Sequence, residues 1–586
     1  MDTIQAHVAH VSFAPGASHL TLQLRLQSDR KSFFRPVDEK LERLRYRLQL
    51  LASGVSSTNV SNKQKKHKKK RQSGGTMPTV PVKFLDAEGQ EINPKTTAGE
   101  ALMCTRSLQI GVETFVVLHN QPIVTKLRVL EPVMAGISVN PLLQTEFCTA
   151  DECSWRWFRQ EEGEENSRTL VNTERRYTPT EEDMGCKFYV ECQAPTMKSE
   201  FAEDSKAEVV TTSVLQGPNR DVFKERRRMG AINAIDKHPE AEEAFRVMSY
   251  NVLYDGYATT EHAKKNLFSY VDDCVMKKTR RIQLIFQEIE ENNSDIVCLQ
   301  EMGEHVYKLF FEPMLASIGY CGFYSGKTGT TNEGCATFVR TARFEVVKED
   351  TLDLSVAVKN STNLATQSLL KNFPEIAKGI NRIPSVAQLL VLRSKLDPVR
   401  SIVLSNTHLF YRGDAHMIRL LQGAAVVEAV SQRKAEIGLE YAAVVMCGDW
   451  NAHPRAPLVM FLLDGQIDSS QEHWQQAPSF RWTLSRADEN GGNSPVATPS
   501  KVRPNRFEHA LELVSACGIP AFTNYVTSFQ DTLDYIMVGS KELQVRDLFP
   551  FFTEEEVTHE VALPSSTFPS DHVSLVCDLA WATWSQ

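Results

Sequence analysis

Read for the alternation of apolar and polar positions, the chain falls into stretches of different texture. Residues 20–26 alternate apolar and polar, as in a half-buried strand. Leu41, Leu44, Leu48 and Leu51 then recur at helical spacing. Between 80 and 215, short β-rich runs at 80–85, 115–118, 124–130 and 187–191 are separated by Gly, Asn and Pro turns. Trp155 and Trp157, two apart, share one face of a strand. Beyond about 244 the pattern changes again. Ile282, Ile285, Phe286 and Ile289 predict a helix, and 417–434 carry a similar stripe. Between such stretches lie continuous apolar runs of the kind found in strands buried on both faces.

These textures set the expected organisation. Residues 1–52 form a small β/α segment, 53–76 a basic flexible linker, 77–217 a β-sandwich-like accessory domain and 218–243 a second linker. Residues 244–586 form the chemical domain. The 586 residues are too many for one core. The first linker holds seven positive charges between 63 and 71, a block that repels itself and stays solvated. A nuclear signal or RNA-contacting arm is the alternative reading.

Composition narrows the class. Hydrophobic content of 42% and charged content of 24% are ordinary for a globular protein. A net charge of −8 argues against a globally basic nucleic-acid surface but leaves room for a local basic groove. No apolar run reaches the roughly 20 residues of a membrane span, so no membrane is expected. The opening Met1-Asp2-Thr3-Ile4-Gln5 lacks a secretory pattern. Twelve scattered Cys, without a CxxC pair, read as free thiols in a reducing, intracellular compartment. Cys148 and Cys192 are likewise read as thiols rather than a bridge.

The chemistry lies at the ends of the buried runs. Run 246–251 ends in Asn251, 295–301 in Glu301, 402–408 in His408, and 444–451 in Asp449 and Asn451. Run 533–538 opens around Asp534, and 570–576 opens with Asp571 and His572. Any one of these is an ordinary turn or salt-bridge residue. Six in one domain predict polar groups gathered at one rim of a rigid sheet core. Carboxylates and an amide oxygen suit a hard cation such as Mg2+, an imidazole can move a proton, and Asn can donate to phosphate oxygens. His416 and His453, though close to these motifs, are read as surface or rim groups. His305 and His559 receive no role.

The ordered set Ser-Tyr-Asn251, Leu-Gln-Glu301, Asn-Thr-His408, Gly-Asp449-Trp-Asn451, Leu-Asp534-Tyr and Ser-Asp571-His572 resembles the motif series of the endonuclease/exonuclease/phosphatase superfamily. Glu333-Gly-Cys-Ala-Thr-Phe338, the run 515–525 and Pro569-Ser-Asp-His572 are similar to the 2′,5′-phosphodiesterases of that superfamily, which degrade 2′,5′-oligoadenylate and poly(A). Upstream segments at 108–111, 133–139 and 177–180 extend the resemblance toward residue 80. Trp450 stands where Phe is usual.

The resemblance implies a four-layer α/β sandwich, two packed β-sheets flanked by helices, with an N-terminal all-β domain. It implies a Mg2+-dependent (or Mn2+-dependent) 3′-to-5′ exoribonuclease releasing 5′-AMP from 2′,5′-oligoadenylate and 3′,5′ poly(A). Glu301, Asn251, Asp449 and Asp571 would hold metal. His572, Asp534, Asp449 and His408 would be catalytic. Asn451, Asn251 and Phe529 would bind substrate, with Phe529 stacking on adenine or, alternatively, serving as a core residue. RNA or oligoadenylate is the expected partner and a monomer the expected state. The compartment implied is the mitochondrial matrix, with the cytoplasm as alternative because no clear transit peptide is seen. Rival readings are a cytoplasmic mRNA deadenylase, whose leucine-rich repeats are not found here, a DNA-repair endonuclease, and an RNA-binding scaffold without activity. The paired Trp and the lysine tract suggest that the upstream β-domain contacts RNA.

Overall fold

The computed structural model describes residues 7–14, 16–26, 29–53, 80–163, 167–195, 205–232, 244–438, 442–482 and 506–582. The lysine tract and most of the first linker lie outside the described residues. The chain divides into two compact units. One holds Met1–Val133 and Val139–Leu215, the other Met134–Ser138 and Gln216–Gln586.

In the first unit the expected separation of residues 1–52 from 77–217 does not hold. Strands His7–Ser12, His19–Leu26 and Asp29–Pro36 join Val82–Leu85, Ser107–Ile110 and Glu113–His119 in one six-stranded sheet. His7–Ser12 pairs in parallel with Glu113–His119. The reason is burial: Leu22, Leu24, Leu41, Leu44 and Leu48 share a single core with Phe84, Leu102, Leu108 and Phe115, and neither half could cover its apolar face alone. The β-rich remainder forms a four-stranded sheet, Thr169–Asn172, Ser154–Gln160, Lys187–Gln193 and Lys206–Val210, beside a two-stranded ribbon. Trp155 and Trp157 do share a face, but it is the inner one. Trp157 is fully buried against Tyr177 and Phe188, so this pair offers no ring to RNA. Cys148 and Cys192 are free thiols.

The second unit begins with a correction. The charged stretch expected as a linker contains helix α1, Asp221–Ile232. Its Arg226 is buried and donates to the Pro550 carbonyl and to Ser574 Oγ and O, each at 2.8 Å. A stretch read as a linker is therefore anchored by one arginine.

Twelve strands build two sheets. They are β1 (Ala244–Asn251), β2 (Ile296–Gly303), β3 (Tyr320–Gly326), β4 (Glu333–Arg340), β5 (Phe344–Asp353), β6 (Val386–Ser394), β7 (Ser401–His408), β8 (Ala442–Asp449), β9 (Leu513–Ser515), β10 (Asp534–Gly539), β11 (Leu543–Leu548) and β12 (Leu575–Trp581). The first sheet runs β3-β4-β2-β1-β12-β11, the second β5-β6-β7-β8-β10-β9. Their inner faces meet through Phe245, Val247, Ile296, Cys298 and Leu579 on one side and Leu390, Leu404, Val445, Cys447 and Ile536 on the other. The continuous apolar runs follow from this, because each central strand is covered twice. Helices α2 (Lys278–Asn292), α3 (His416–Ile437) and α4 (Pro457–Asp464) supply outer layers. The outer face of the second sheet, with Val403, Val444 and Met446, packs on Ile418, Leu421, Leu458 and Leu462. On the first sheet, α2 sends Asn292 to Met248 Sδ and Glu288 to Ser574. The unit is a four-layer α/β sandwich. Among the described residues no helix is long and apolar enough to cross a membrane.

Candidate active site

Strand direction gathers the six motif segments. β1 and β2 are parallel, as are β7 and β8, and His408 stands directly across from Asp449. The C-terminal ends of these four strands reach one rim. β10 and β12 run antiparallel to their neighbours, so they start where the others end, and Asp449 pairs with Asp534. Helix α2 fixes the first sheet's contribution. Buried Arg281 donates to the carbonyls of Val252 (3.2 Å), Leu253 and Pro569 (2.8 Å), tying the loop after Asn251 to the loop before Asp571.

The rim stores backbone strain. Leu253, Glu301 and Asn451 have φ of 55°, 57° and 49°, a region that costs residues other than Gly about 1–3 kcal/mol each. At Glu301 the pairing of β2 with β4 shifts register between Leu299 and Met302. This irregularity re-aims the carboxylate relative to a regular strand.

The side chains interlock. Glu301 Oε2 accepts from the Tyr254 N–H at 2.8 Å, while Asn251 Nδ2 donates to Glu301 Oε1 at 3.3 Å and to Asp449 Oδ2 at 2.9 Å. His408 Nε2 is 3.9 Å from Glu301 and 3.6 Å from Asp449. Asp449 Oδ1 accepts the Asn451 N–H at 2.9 Å, and Asn451 Nδ2 donates to the Leu409 carbonyl at 2.9 Å. His572 Nδ1 is 2.7 Å from Asp534 Oδ2, and its Nε2 is 3.8 Å from Asp449. Asp449, Asp534 and His572 bring one atom each within 4.8 Å of one another.

Burial dominates the electrostatics. It pushes Glu301 up to about 7, with help from the Glu333 and Asp571 carboxylates. It pushes Asp449 up to about 7, with help from Asp534. Burial and the neighbouring Lys327 and His572 charges hold His408 far below its ordinary value, so it is neutral. For His572, burial alone would lower the value, but Asp534, Asp449 and Asp571 outweigh it and hold the ring charged. Buried oxygen donors of this kind suit a hard divalent cation, and both Glu333 Oε2 and Asp534 Oδ1 are buried without a hydrogen-bond partner. Such a donor set fits a divalent metal at this rim, where Asp449, Asp534 and His572 gather.

Asn251 differs from expectation. Its Oδ1 accepts from the Leu253 N–H at 3.0 Å and its nitrogen faces the carboxylates. As oriented, it positions Glu301 and Asp449 instead of offering oxygen to a metal. Phe529 is no core residue: it is 46% exposed on a hairpin with Asn524–Val526, and Asn524 bridges to His572.

Three residues escaped sequence reasoning as site members. Glu333, fully buried, is paired with Lys327 and accepts from Tyr257 Oη at 2.9 Å. Lys327 Nζ also lies 3.3 Å from His408 Nδ1. Because lysine only donates, the His408 proton is placed on Nε2, the nitrogen facing Glu301 and Asp449. Glu333 opens a buried apolar run, the same signal as the other motif acids. Lys327 and Tyr257 sit in polar stretches and carry no such mark.

Comparison with known proteins identifies the family. Residues 248–572 match the endonuclease/exonuclease/phosphatase family, and 121–214 match the 2′,5′-phosphodiesterase 12-like N-terminal domain. The chain is 30% identical to 2′,5′-phosphodiesterase 12 of Rattus norvegicus, over 81% of this chain and 76% of that protein. It is 25% identical to the CCR4-Not complex 3′-5′-exoribonuclease subunit Ccr4 of Candida albicans, over 58% of this chain and 41% of that protein. Among solved structures it is similar to ANGEL2, a 2′,3′-cyclic phosphatase, at 24% identity and a TM-score of 0.45, covering 57% of this chain and 95% of that one. With a family match that spans more than half of the sequence and takes in every motif from β1 to His572, the chain belongs to the endonuclease/exonuclease/phosphatase family and is a hydrolase of the nuclease and phosphodiesterase type.

Proposed function

We propose that the protein is a Mg2+-dependent 3′-to-5′ exoribonuclease, acting as a monomer, that releases 5′-AMP from 2′,5′-oligoadenylate and from 3′,5′ poly(A). The observation that carries the reading is the placement of Glu301 and Asp449, both within 3.9 Å of neutral His408, at one rim. The similarity to a 2′,5′-phosphodiesterase and a 3′-5′-exoribonuclease supports the substrate class.

Hydrolysis needs water oxygen to bond to phosphorus while the bond from phosphorus to the 2′- or 3′-oxygen of the preceding ribose breaks. Asp449, held by the Asn251 amide and the Asn451 N–H, is suited to orient that water and to accept its proton as a carboxylate. His408 presents Nε2–H, and His572 presents the N–H left free by Asp534, as donors to the phosphate oxygens. Asn251 holds Glu301 and Asp449 in place. Glu301, Asp449 and Asp571 would hold Mg2+, with Mn2+ as a substitute, which supplies positive charge against the charge that grows on the phosphate. Phe529 offers an exposed face for the adenine.

Product analysis on 2′,5′-linked and 3′,5′-linked oligoadenylate, with and without EDTA, tests this. Both should yield 5′-AMP stepwise from the 3′ (or 2′) end, and neither should react in EDTA. Action on the 3′,5′ linkage alone would favour the mRNA deadenylase reading, and cleavage of abasic DNA with oligoadenylate left intact would favour the repair reading. The matrix location implied by the resemblance is tested by fractionating tagged protein.

A further inference from the structure

Three histidines outside the machinery above converge beside it. His416 opens α3, His453 lies two residues beyond Asn451, and His473 belongs to the short helix α5 (Glu472–Gln475). Ring centroids are 4.2 Å apart for His416 and His473, 5.5 Å for His416 and His453, and 5.8 Å for His453 and His473. One nitrogen of each ring lies within 4.8 Å of one in both others. All three are half-buried. The segments leading to His416 and His453 are the same two connections that follow His408 and Asp449, and the Asn451-to-Leu409 hydrogen bond joins them. A cavity of about 280 Å³ opens at His416 and His473, with Gln476 and Ser479 on its wall.

Three imidazoles at this spacing have the composition of a transition-metal site, but their hydrogen bonds are wired for another ligand. Each Nδ1 faces a donor: Arg419 Nη2 at 3.3 Å for His416, the Arg455 N–H at 3.3 Å for His453, and Gln471 Nε2 at 3.1 Å for His473. A ring that ligates metal through one nitrogen carries N–H on the other and needs an acceptor there. Here the Nδ1 atoms accept, so in each ring the proton sits on Nε2, which presents a donor.

The surrounding charge agrees. Arg419 is buried, its guanidinium donates to the Phe410, Arg412 and Gly413 carbonyls, and its Nε has no partner. Asp414, which also lines the cavity, is engaged by Arg412 at 2.8 Å. Burial, aided by Arg419, draws His416 down to about 3, so its ring is neutral beside a buried cation.

We propose that His416, His453 and His473, backed by Arg419, form a phosphate-binding subsite that takes an internucleotide phosphate of the substrate strand next to the one being cut. This rests on the phosphodiesterase reading and extends it from chemistry to chain-length preference.

The test uses the full chain and oligoadenylates of two and four nucleotides, with one and three internucleotide phosphates. The wild type should show a KM about tenfold lower on the tetramer, the size expected of one hydrogen bond to a charged group. In His416→Phe and His473→Phe the ratio of the two KM values should collapse toward one. His473→Gln, which keeps an N–H donor, should restore part of it. Thermal unfolding confirms that each variant is folded. An unchanged ratio in both Phe variants overturns the proposal. So does stoichiometric Zn2+ binding to chelator-treated protein that is lost in the same variants while the ratio stays put, which would make the cluster a metal site. If no oligoadenylate is hydrolysed, the phosphodiesterase reading fails by itself. Anisotropy of labelled tetraadenylate in EDTA then decides the subsite: weaker binding in the Phe variants supports it, and equal binding refutes it.

Discussion

His572 turns Nδ1 toward Asp534 Oδ2 at 2.7 Å, and both side chains are buried. The second Asp534 oxygen has no partner, and the carboxylate holds the His572 value up. Asp534→Asn keeps the shape and removes the negative charge. His572 should lose its proton near neutral pH, visible by NMR of the ring, and kcat should fall by about 10²–10⁴, the range of a positioned proton donor or acceptor. A kcat within threefold of wild type would remove the pair from the mechanism.

The raised carboxylates make a linked prediction about pH and metal. Glu301 and Asp449 are pushed up to about 7 in the folded protein, against about 4 when unfolded. Between these values the folded state binds more protons than the unfolded one. Their contribution is therefore complete below pH 4 and is lost as pH rises through 7. In EDTA, this part of the melting temperature should decline from pH 5 to 8. Added Mg2+ should raise the melting temperature more at pH 8 than at pH 5, because only the ionised carboxylates bind it. An equal Mg2+ effect at both pH values would contradict the assignment.

Glu333→Gln should weaken turnover without removing any group that touches the phosphate. Lys327 sits between Glu333 and His408 Nδ1, and losing its partner frees it from fixing the imidazole. An outer hydrogen-bonding residue of this kind is worth about 10–100-fold, and kcat should carry most of the loss. A change confined to KM would point to substrate contact instead.

Phe529→Ala should raise KM on oligoadenylate by about 5- to 150-fold, the equivalent of roughly 1–3 kcal/mol for one stacked base. Phe529→Trp should recover it, and thermal stability should hardly move because the ring is exposed. A large drop in melting temperature would mean the ring packs after all.

What could be read from sequence was set by period and by position. Asn251, Glu301, His408 and Asp449 were legible because each ends a run too apolar to be anything but a buried strand, so the polar residue marks a sheet rim. Glu333 carries the same mark at the start of β4 and was passed over. The bent backbone at Glu301 left no trace, since a register shift depends on the partner strand and not on the residue. Residues 1–52 looked separate because a linker comes after them. The parallel pairing of His7–Ser12 with Glu113–His119 spans that linker, and such non-local pairing has no local pattern. Trp155 and Trp157 were placed on one face correctly, but alternation does not say which face is inside. His416, His453 and His473 lie 37 and 20 residues apart in sequence, so their cluster exists only in the fold.

The most direct measurement is Mg2+-dependent release of 5′-AMP from oligoadenylate by wild type and by Glu301→Gln, titrated over Mg2+ and run in parallel with EDTA. The account predicts saturable Mg2+ dependence in the wild type, none in EDTA, and a loss of at least about a hundredfold in the variant that excess Mg2+ does not fully repair. Undiminished turnover by Glu301→Gln, or by wild type in EDTA, would contradict it.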